Sequence, residues 1–173
     1  LIHGAAPCPV HVKQDMIEWL GPIVWEYYAA TEGGGGFIVG SEQWLKKPGT
    51  VGKADPMFNN RILDDDGNEV GPGVIGTIYL PAPATGRFEY YKDAQKTQGS
   101  YQGDHFTLGD IGYFDEDGYL FLTGRTAELI ISGGVNIYPV EVDNALLLHD
   151  AVVDACTVGI PNEEWGEEVR AVV

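Results

Sequence analysis

Apolar residues fall at Val12, Met16, Ile17, Trp19 and Leu20 within VHVKQDMIEWLG, a helical spacing, and Gly21-Pro22 ends the run. The next apolar run, PIVWEYYA, reads as a short buried strand. It leads into Thr31-Glu32 and four consecutive glycines, Gly33 to Gly36. Read as a glycine-rich turn, they place the Thr-Glu pair at a strand's C-terminal end, where α/β architectures hold their ligands.

From about Thr50 to Arg125 the pattern shortens into RILDDDGNEV, GVIGTIYLPAP, HFTLGDIGYF and YLFLTGR, which read as strands separated by turn dipeptides. Asp66-Gly67 and Asp117-Gly118 sit where hairpin turns demand positive φ. This half is expected to be antiparallel and β-rich. Beyond Arg125, ELIIS and VNIYP flank Gly133-Gly134 as a hairpin, and Pro139 opens a helix along Val142, Leu146 and His149. AVVDACTVGI and VRAVV read as strands around the acidic turn PNEEWGEE, the start of a small α/β unit. A boundary is expected between Gly124 and Ala127, dividing the chain into residues 1–125 and 126–173. Because it opens on Leu1 and closes in a strand-like run, the chain is read as an excerpt of a longer protein.

Composition narrows the function classes. Apolar residues make up 44% and aromatics 11%, too hydrophobic for disorder, and no apolar run approaches the roughly 18 residues of a membrane helix. The formal charge of −16 repels phosphate backbones, so nucleic acid and anionic lipid are not the expected partners. Cys8 and Cys156 stand alone, and the four histidines never pair at ligand spacing, which argues against zinc and a disulfide framework. With no basic region followed by an apolar one at the start, a cytoplasmic location is expected.

Four glycines in a row carry a backbone-entropy cost that a core does not repay, so a close backbone approach to a ligand is one reading and a flexible surface turn the other. Phe37 and Ile38 follow where a Walker loop needs lysine and a hydroxyl, which excludes that loop. Thr31-Glu32 tips the balance toward a ligand: a hydroxyl for a phosphate oxygen beside a hard carboxylate for Mg²⁺ suits nucleotide chemistry. The acidic DDDGN stretch lacks the glycine and glutamate of a calcium loop and reads as a solvated hairpin. Asp110 is either a turn aspartate or a bidentate acceptor for a vicinal diol such as ribose. Arg125 is either a surface cation or a contact to phosphate or ribose from the boundary.

Taken in order, GAAPCP, YYAATE, FTLGDIGYFDEDGYLFLTGR and ELIISGGVNIYPVEVD resemble the successive motifs of the AMP-forming acyl-CoA synthetases of the adenylate-forming superfamily, over essentially the whole chain. The resemblance implies an α/β fold with a β-rich, antiparallel, distorted barrel-like subdomain, followed by the start of a small, mobile α+β domain. It implies activation of a carboxylic acid by ATP to an acyl-adenylate, then displacement of AMP by the thiol of coenzyme A. Gly4, Ala5, Ala6 and Pro7 would border adenine and the acyl group. Tyr27 and Tyr28 would meet the nucleotide, with Tyr28 stacked on adenine. Thr31 would bind the α-phosphate, Glu32 would ligate Mg²⁺, Asp110 would hold the ribose hydroxyls, and Arg125 would lie close to the ribose. Gly133 and Gly134 would line the pantetheine passage, and Gly33 to Gly36 the acyl pocket.

The Ser/Thr/Gly-rich phosphate loop and the catalytic lysine of the resembled family lie outside this chain, so the isolated piece is expected to be inactive or nearly so. Ala127 replaces the aspartate or lysine usual at the hinge of that family. Small residues at Gly33 to Gly36 hint at fatty or ring-containing acids. Two rivals stay open: transfer to a carrier-protein thiol, and a non-catalytic acidic binding module that keeps the fold. Sequence alone leaves the oligomeric state and the particular acid unread.

Overall fold

The computed structural model describes residues 1–53 and 55–173, and at positions 34 and 35 only the strand they belong to. The chain divides into two compact units, Leu1–Leu122 and Thr123–Val173.

The first unit opens with β1 (Ile2–His3), α1 (Val10–Leu20), β2 (Trp25–Ala30) and β3 (Gly33–Gly40), followed by α2 (Ser41–Trp44). β1 runs parallel to β2, and β2 pairs antiparallel with β3, Glu26 opposite Val39 and Tyr28 opposite Phe37. Gly21, at φ 81°, ends α1 as expected and returns its N–H to the Ile17 carbonyl. The helix buries a different face from the one its apolar spacing suggests. Ile17 and Lys13 are buried, whereas Trp19 is 82% exposed. Ile17 packs with Val24, Val39 and Trp44 in a small core, and the Ser41 hydroxyl ties α2 to the backbone of Val24 by bonds of 3.0 and 2.8 Å.

The glycine tract corrects the sequence reading. Gly33 to Gly36 form the first half of β3, and the turn is Thr31-Glu32 itself. Pairing with β2 supplies the reason: Ala30 lies opposite Gly33 and Tyr28 opposite Phe37, and an irregularity between Tyr28 and Ala30 takes up the two extra residues of β3. At Gly36, φ is 78° and a Cβ would come within 2.7 Å of the Phe58 ring, so the close approach that excludes a side chain there is internal. The expectation for Gly34 and Gly35 lies outside the described residues.

The remaining strands are β4 (Thr50–Lys53), β5 (Arg61–Leu63), β6 (Gly76–Pro81), β7 (Tyr101–Gln102), β8 (His105–Phe106), β9 (Asp110–Phe114) and β10 (Tyr119–Arg125), with α3 (Ala94–Gly99) before β7. They form one sheet in the order β4-β10-β9-β6-β8-β7, with β5 also on β6, and the pairings of β4 with β10 and of β6 with β5, β8 and β9, like that of β7 with β8, are antiparallel. The order is an open path, so among the described residues the barrel-like expectation reduces to an unclosed sheet. Its core gathers Phe37, Val51, Ile62, Ile78, Leu80, Phe106 and Leu120. HFTLGDIGYF is two strands rather than one, because Gly109 (φ 80°) turns the chain between them and donates to the Thr107 hydroxyl. In both acidic hairpins only the glycine is left-handed, Gly67 and Gly118 each at 80°. Their N–H groups close turns onto Asp64 and Asp115, leaving Asp66 and Asp117 with negative φ.

The second unit holds β11 (Ile130–Ser132), β12 (Val135–Ile137), α4 (Pro139–Leu146), β13 (Cys156–Asn162) and β14 (Gly166–Val172). Its sheet runs β12-β11-β14-β13, antiparallel throughout. The unit is α+β, and the strand-helix-strand reading gives way to two hairpins joined through β11 and β14. α4 stops at Leu146, so His149 lies beyond it.

Candidate nucleotide site

Alternation along β2 sends neighbouring tyrosines to opposite faces. Tyr28 points inward with Glu26, and Tyr27 points outward. Tyr27 meets the loop after β1: a Cβ on Gly4 would stand 2.8 Å from both its ring and its carbonyl oxygen, so only glycine allows this approach. The next residue, Ala5, has φ 70°, a left-handed conformation that costs an L-residue about 1–2 kcal/mol. Ala5, Ala6 and Pro7 are exposed, so the loop presents backbone and small side chains to solvent.

On the inner face, the Tyr28 phenol donates to Asp110 Oδ2 at 2.6 Å. Asp110 opens β9 and is only 6% exposed. A carboxylate so placed keeps its charge only with donors around it. Tyr28 also leans on Phe37, ring centroids 5.8 Å apart, and Phe37 on Phe114 at 6.3 Å. The aromatic candidate and the diol-binding candidate are thus one hydrogen-bonded pair built from strands far apart in sequence.

Thr31 and Glu32 cap the β2–β3 hairpin, Thr31 exposed and Glu32 half-buried. Glu32 Oε1 accepts a 3.0 Å hydrogen bond from the Tyr90 phenol. Burial, then this bond to Glu32, push the Tyr90 phenol above its ordinary value, so it remains a donor at neutral pH. Sequence reasoning missed Tyr90, and nothing local in FEYYKD marks it. An open groove of about 480 Å³ runs past Tyr90, Thr97 and Tyr101.

Beneath β2 lies a second polar cluster that the sequence did not signal. Lys13, 1% exposed, binds Glu26 Oε2 and sits 4.7 Å from the centre of the Trp44 ring. His3 Nε2 is 3.8 Å from the same carboxylate oxygen. Burial holds the His3 imidazole below its ordinary value, with Glu26 opposing and Lys13 adding to the shift. Burial raises the Cys8 thiol, leaving it a poor nucleophile.

In the second unit, Arg125 is exposed at the end of β10. Gly133 and Gly134, at φ 57° and 80°, make the two-residue turn between β11 and β12. The Gly133 N–H donates to the Trp165 carbonyl at 2.8 Å. A Cβ on Gly133 would come within 2.7 Å of the Trp165 ring, while one on Gly134 would meet nothing within 4 Å.

Among the described residues no three His, Cys, Asp or Glu side chains converge as a protein-only metal cage. Mg²⁺ in nucleotide sites takes one or two carboxylates and completes its shell with phosphate oxygens and water. Glu32 fits that role, since Tyr90 engages Oε1 and leaves Oε2 to a cation.

The AMP-binding enzyme family matches residues 1–89. The mitochondrial acyl-coenzyme A synthetase ACSM3 of Rattus norvegicus is 34% identical over 99% of this chain and 30% of its own length. The fatty acid–[acyl-carrier-protein] ligase ScoC of Streptomyces coeruleorubidus is 38% identical over 71% of the chain and 24% of its own length. Among solved structures, o-succinylbenzoate CoA synthetase (MenE) of Bacillus subtilis with its acyl-adenylate intermediate OSB-AMP superposes with a TM-score of 0.86 at 32% identity, covering 98% of this chain and 35% of that one. The same enzyme with ATP and magnesium ion gives 0.84 at 31%, with the same coverage. The chain spans between about a quarter and about a third of the length of these proteins.

Proposed function

The chain belongs to the AMP-binding enzyme family, and on that premise we propose that it is part of an ATP-dependent ligase that activates a carboxylic acid as its acyl-adenylate and passes the acyl group to the thiol of coenzyme A. One observation carries the reading: Tyr28 and the hairpin-tip pair Thr31-Glu32 stand on one strand-turn unit, and Tyr28 is hydrogen-bonded to Asp110 of β9, which together supply groups for base, ribose and phosphate. The likeness to an enzyme solved with an acyl-adenylate supports it.

In this reading the Tyr28 ring stacks on adenine while its hydroxyl steadies Asp110, which accepts from the ribose hydroxyls. The exposed loop Gly4 to Pro7, held down on Tyr27, borders base and acyl group without side-chain bulk. Thr31 donates to an α-phosphate oxygen, and Glu32 presents its carboxylate to Mg²⁺. Bound there, the cation would neutralise charge that builds on the phosphate as the substrate carboxylate attacks. Attack at the α-phosphorus forms the acyl–phosphate bond and releases pyrophosphate; the thiol then attacks the acyl carbon and releases AMP. The unit Leu1–Leu122 is read as the later part of the nucleotide-binding domain and Thr123–Val173 as the start of a small second domain. There the exposed Arg125 is proposed as a nucleotide contact, and the side-chain-free Gly133-Gly134 turn as a contact for the pantetheine arm. A fatty or aryl acid is the proposed substrate class.

The test is carboxylate-dependent ATP–pyrophosphate exchange in the full-length polypeptide. Glu32→Gln and Asp110→Ala should each lower exchange by about a hundredfold or more, the usual consequence of removing a transition-state contact. Unchanged exchange in both variants removes the assignment. Transfer to a carrier-protein thiol is the second reading, favoured by the likeness to ScoC. Thioester formation that needs a carrier protein and ignores coenzyme A would select it.

A further inference from the structure

Glu32 stands on a hairpin tip, where a glutamate would ordinarily sample several rotamers, yet a residue fifty-eight positions away fixes one of its oxygens. Tyr90 is itself held from several sides. Its backbone N–H donates to the Thr97 hydroxyl at 2.8 Å, and that hydroxyl donates to the Asp93 carbonyl, also at 2.8 Å. Phe88 meets the Tyr90 ring edge-on, centroids 5.3 Å apart, and Lys96 Nζ lies 4.1 Å from the ring centre. Lys96 and Thr97 belong to α3, whose first turn is capped by the Asp93 carboxylate accepting from the Lys96 N–H at 2.9 Å. With its ring already immobilised, the phenol loses little further freedom when it engages Glu32.

The identity of this donor matters. A lysine or arginine in the same place would neutralise Glu32 and compete with any cation, whereas a phenol orients the carboxylate and leaves its charge intact. The Lys96 ammonium contacts Tyr90 through the ring.

We propose that Tyr90 is a positioning residue for Glu32, fixing the rotamer that presents Oε2 to the divalent cation of the bound nucleotide. This rests on the reading of Glu32 as the cation's ligand. Tyr90→Phe keeps the ring packing and removes only the hydroxyl.

The experiment is calorimetric binding to the full-length protein, without turnover, of ATP with Mg²⁺ and of AMP without metal. Tyr90→Phe should weaken the magnesium–ATP complex roughly three- to tenfold, the net worth of one hydrogen bond, and leave AMP within about twofold. Adding Tyr90→Phe to Glu32→Gln should cost nothing more, since the two act through one carboxylate. Equal weakening of both ligands, or full additivity of the two substitutions, overturns the positioning role. If Glu32→Gln weakens magnesium–ATP and Tyr90→Phe does not, the Tyr90 inference falls while the assignment of Glu32 stands. If Glu32→Gln itself leaves magnesium–ATP binding unchanged, the assignment of Glu32 falls and takes the inference with it.

Discussion

Tyr28 and Asp110, eighty-two residues apart, are joined by a 2.6 Å hydrogen bond from the phenol to Oδ2. The bond couples β2 to β9 and gives a nearly buried carboxylate one of its donors. Tyr28→Phe keeps an aromatic face for a base and deletes that donor. It should lower unfolding stability by about 1–3 kcal/mol, as for lost bonds to charged groups. The KM for ATP should rise more than kcat falls, because the ribose acceptor loses its orientation. Denaturant unfolding and steady-state exchange check the two parts, and an unaltered stability would mean the bond contributes nothing net.

Lys13 and Glu26 make a buried pair that can be cut in two ways. Lys13→Met strands a carboxylate beneath β2 and should destabilise by about 3–5 kcal/mol. Replacing both residues, Lys13→Met with Glu26→Gln, should recover most of that loss, because no uncompensated charge remains. Thermal or denaturant unfolding of the two variants decides it; a double variant as unstable as the single one would contradict the account.

His3 gives stability a defined pH dependence. Its imidazole sits below the ordinary value of 6.5, chiefly through burial, so the folded chain takes up this proton later than the unfolded chain as pH falls. Its contribution is fully present above 6.5 and is lost as pH drops through the lower folded value. Unfolding of wild type and His3→Gln from about pH 8 to about pH 5 should show the difference between them shrink on the acid side. A constant difference would argue against a buried neutral imidazole.

The Gly133-Gly134 turn separates backbone strain from steric conflict. Both positions are left-handed, so alanine at either should cost about 1–2 kcal/mol. Only at Gly133 would the new methyl also press on the Trp165 ring. Gly133→Ala should therefore be the more damaging of the pair, by about 1 kcal/mol or more. Equal losses in unfolding experiments would place the Trp165 ring elsewhere in solution.

Features that depend on local chemistry were legible in the sequence. The stop of α1 at Gly21, the Gly133-Gly134 turn and the opening of α4 by Pro139 follow from φ preferences and a missing N–H. Where partners come from far along the chain, local signals mislead. The glycine tract looks like a turn until β2 pairs with it, and the apolar spacing of α1 hides Lys13, whose burial depends on Glu26 and Trp44. Thr31, Glu32, Tyr28 and Asp110 could be nominated from motif order, but Tyr90 could not, because only the folded chain brings its hydroxyl to Glu32.

The regular ladder beyond the Thr31-Glu32 turn also makes the hairpin a ruler. β3 buries Phe37 and Val39 and exposes Ile38, a phase set by the regular pairing of Tyr28 with Phe37, Tyr27 with Ile38 and Glu26 with Val39. A one-residue slip within that regular stretch would reverse the phase and turn Phe37 out of the core. The chemistry of the tip can therefore be altered by substitution at Thr31 or Glu32 without disturbing the stretch of ladder that holds Phe37 in the core.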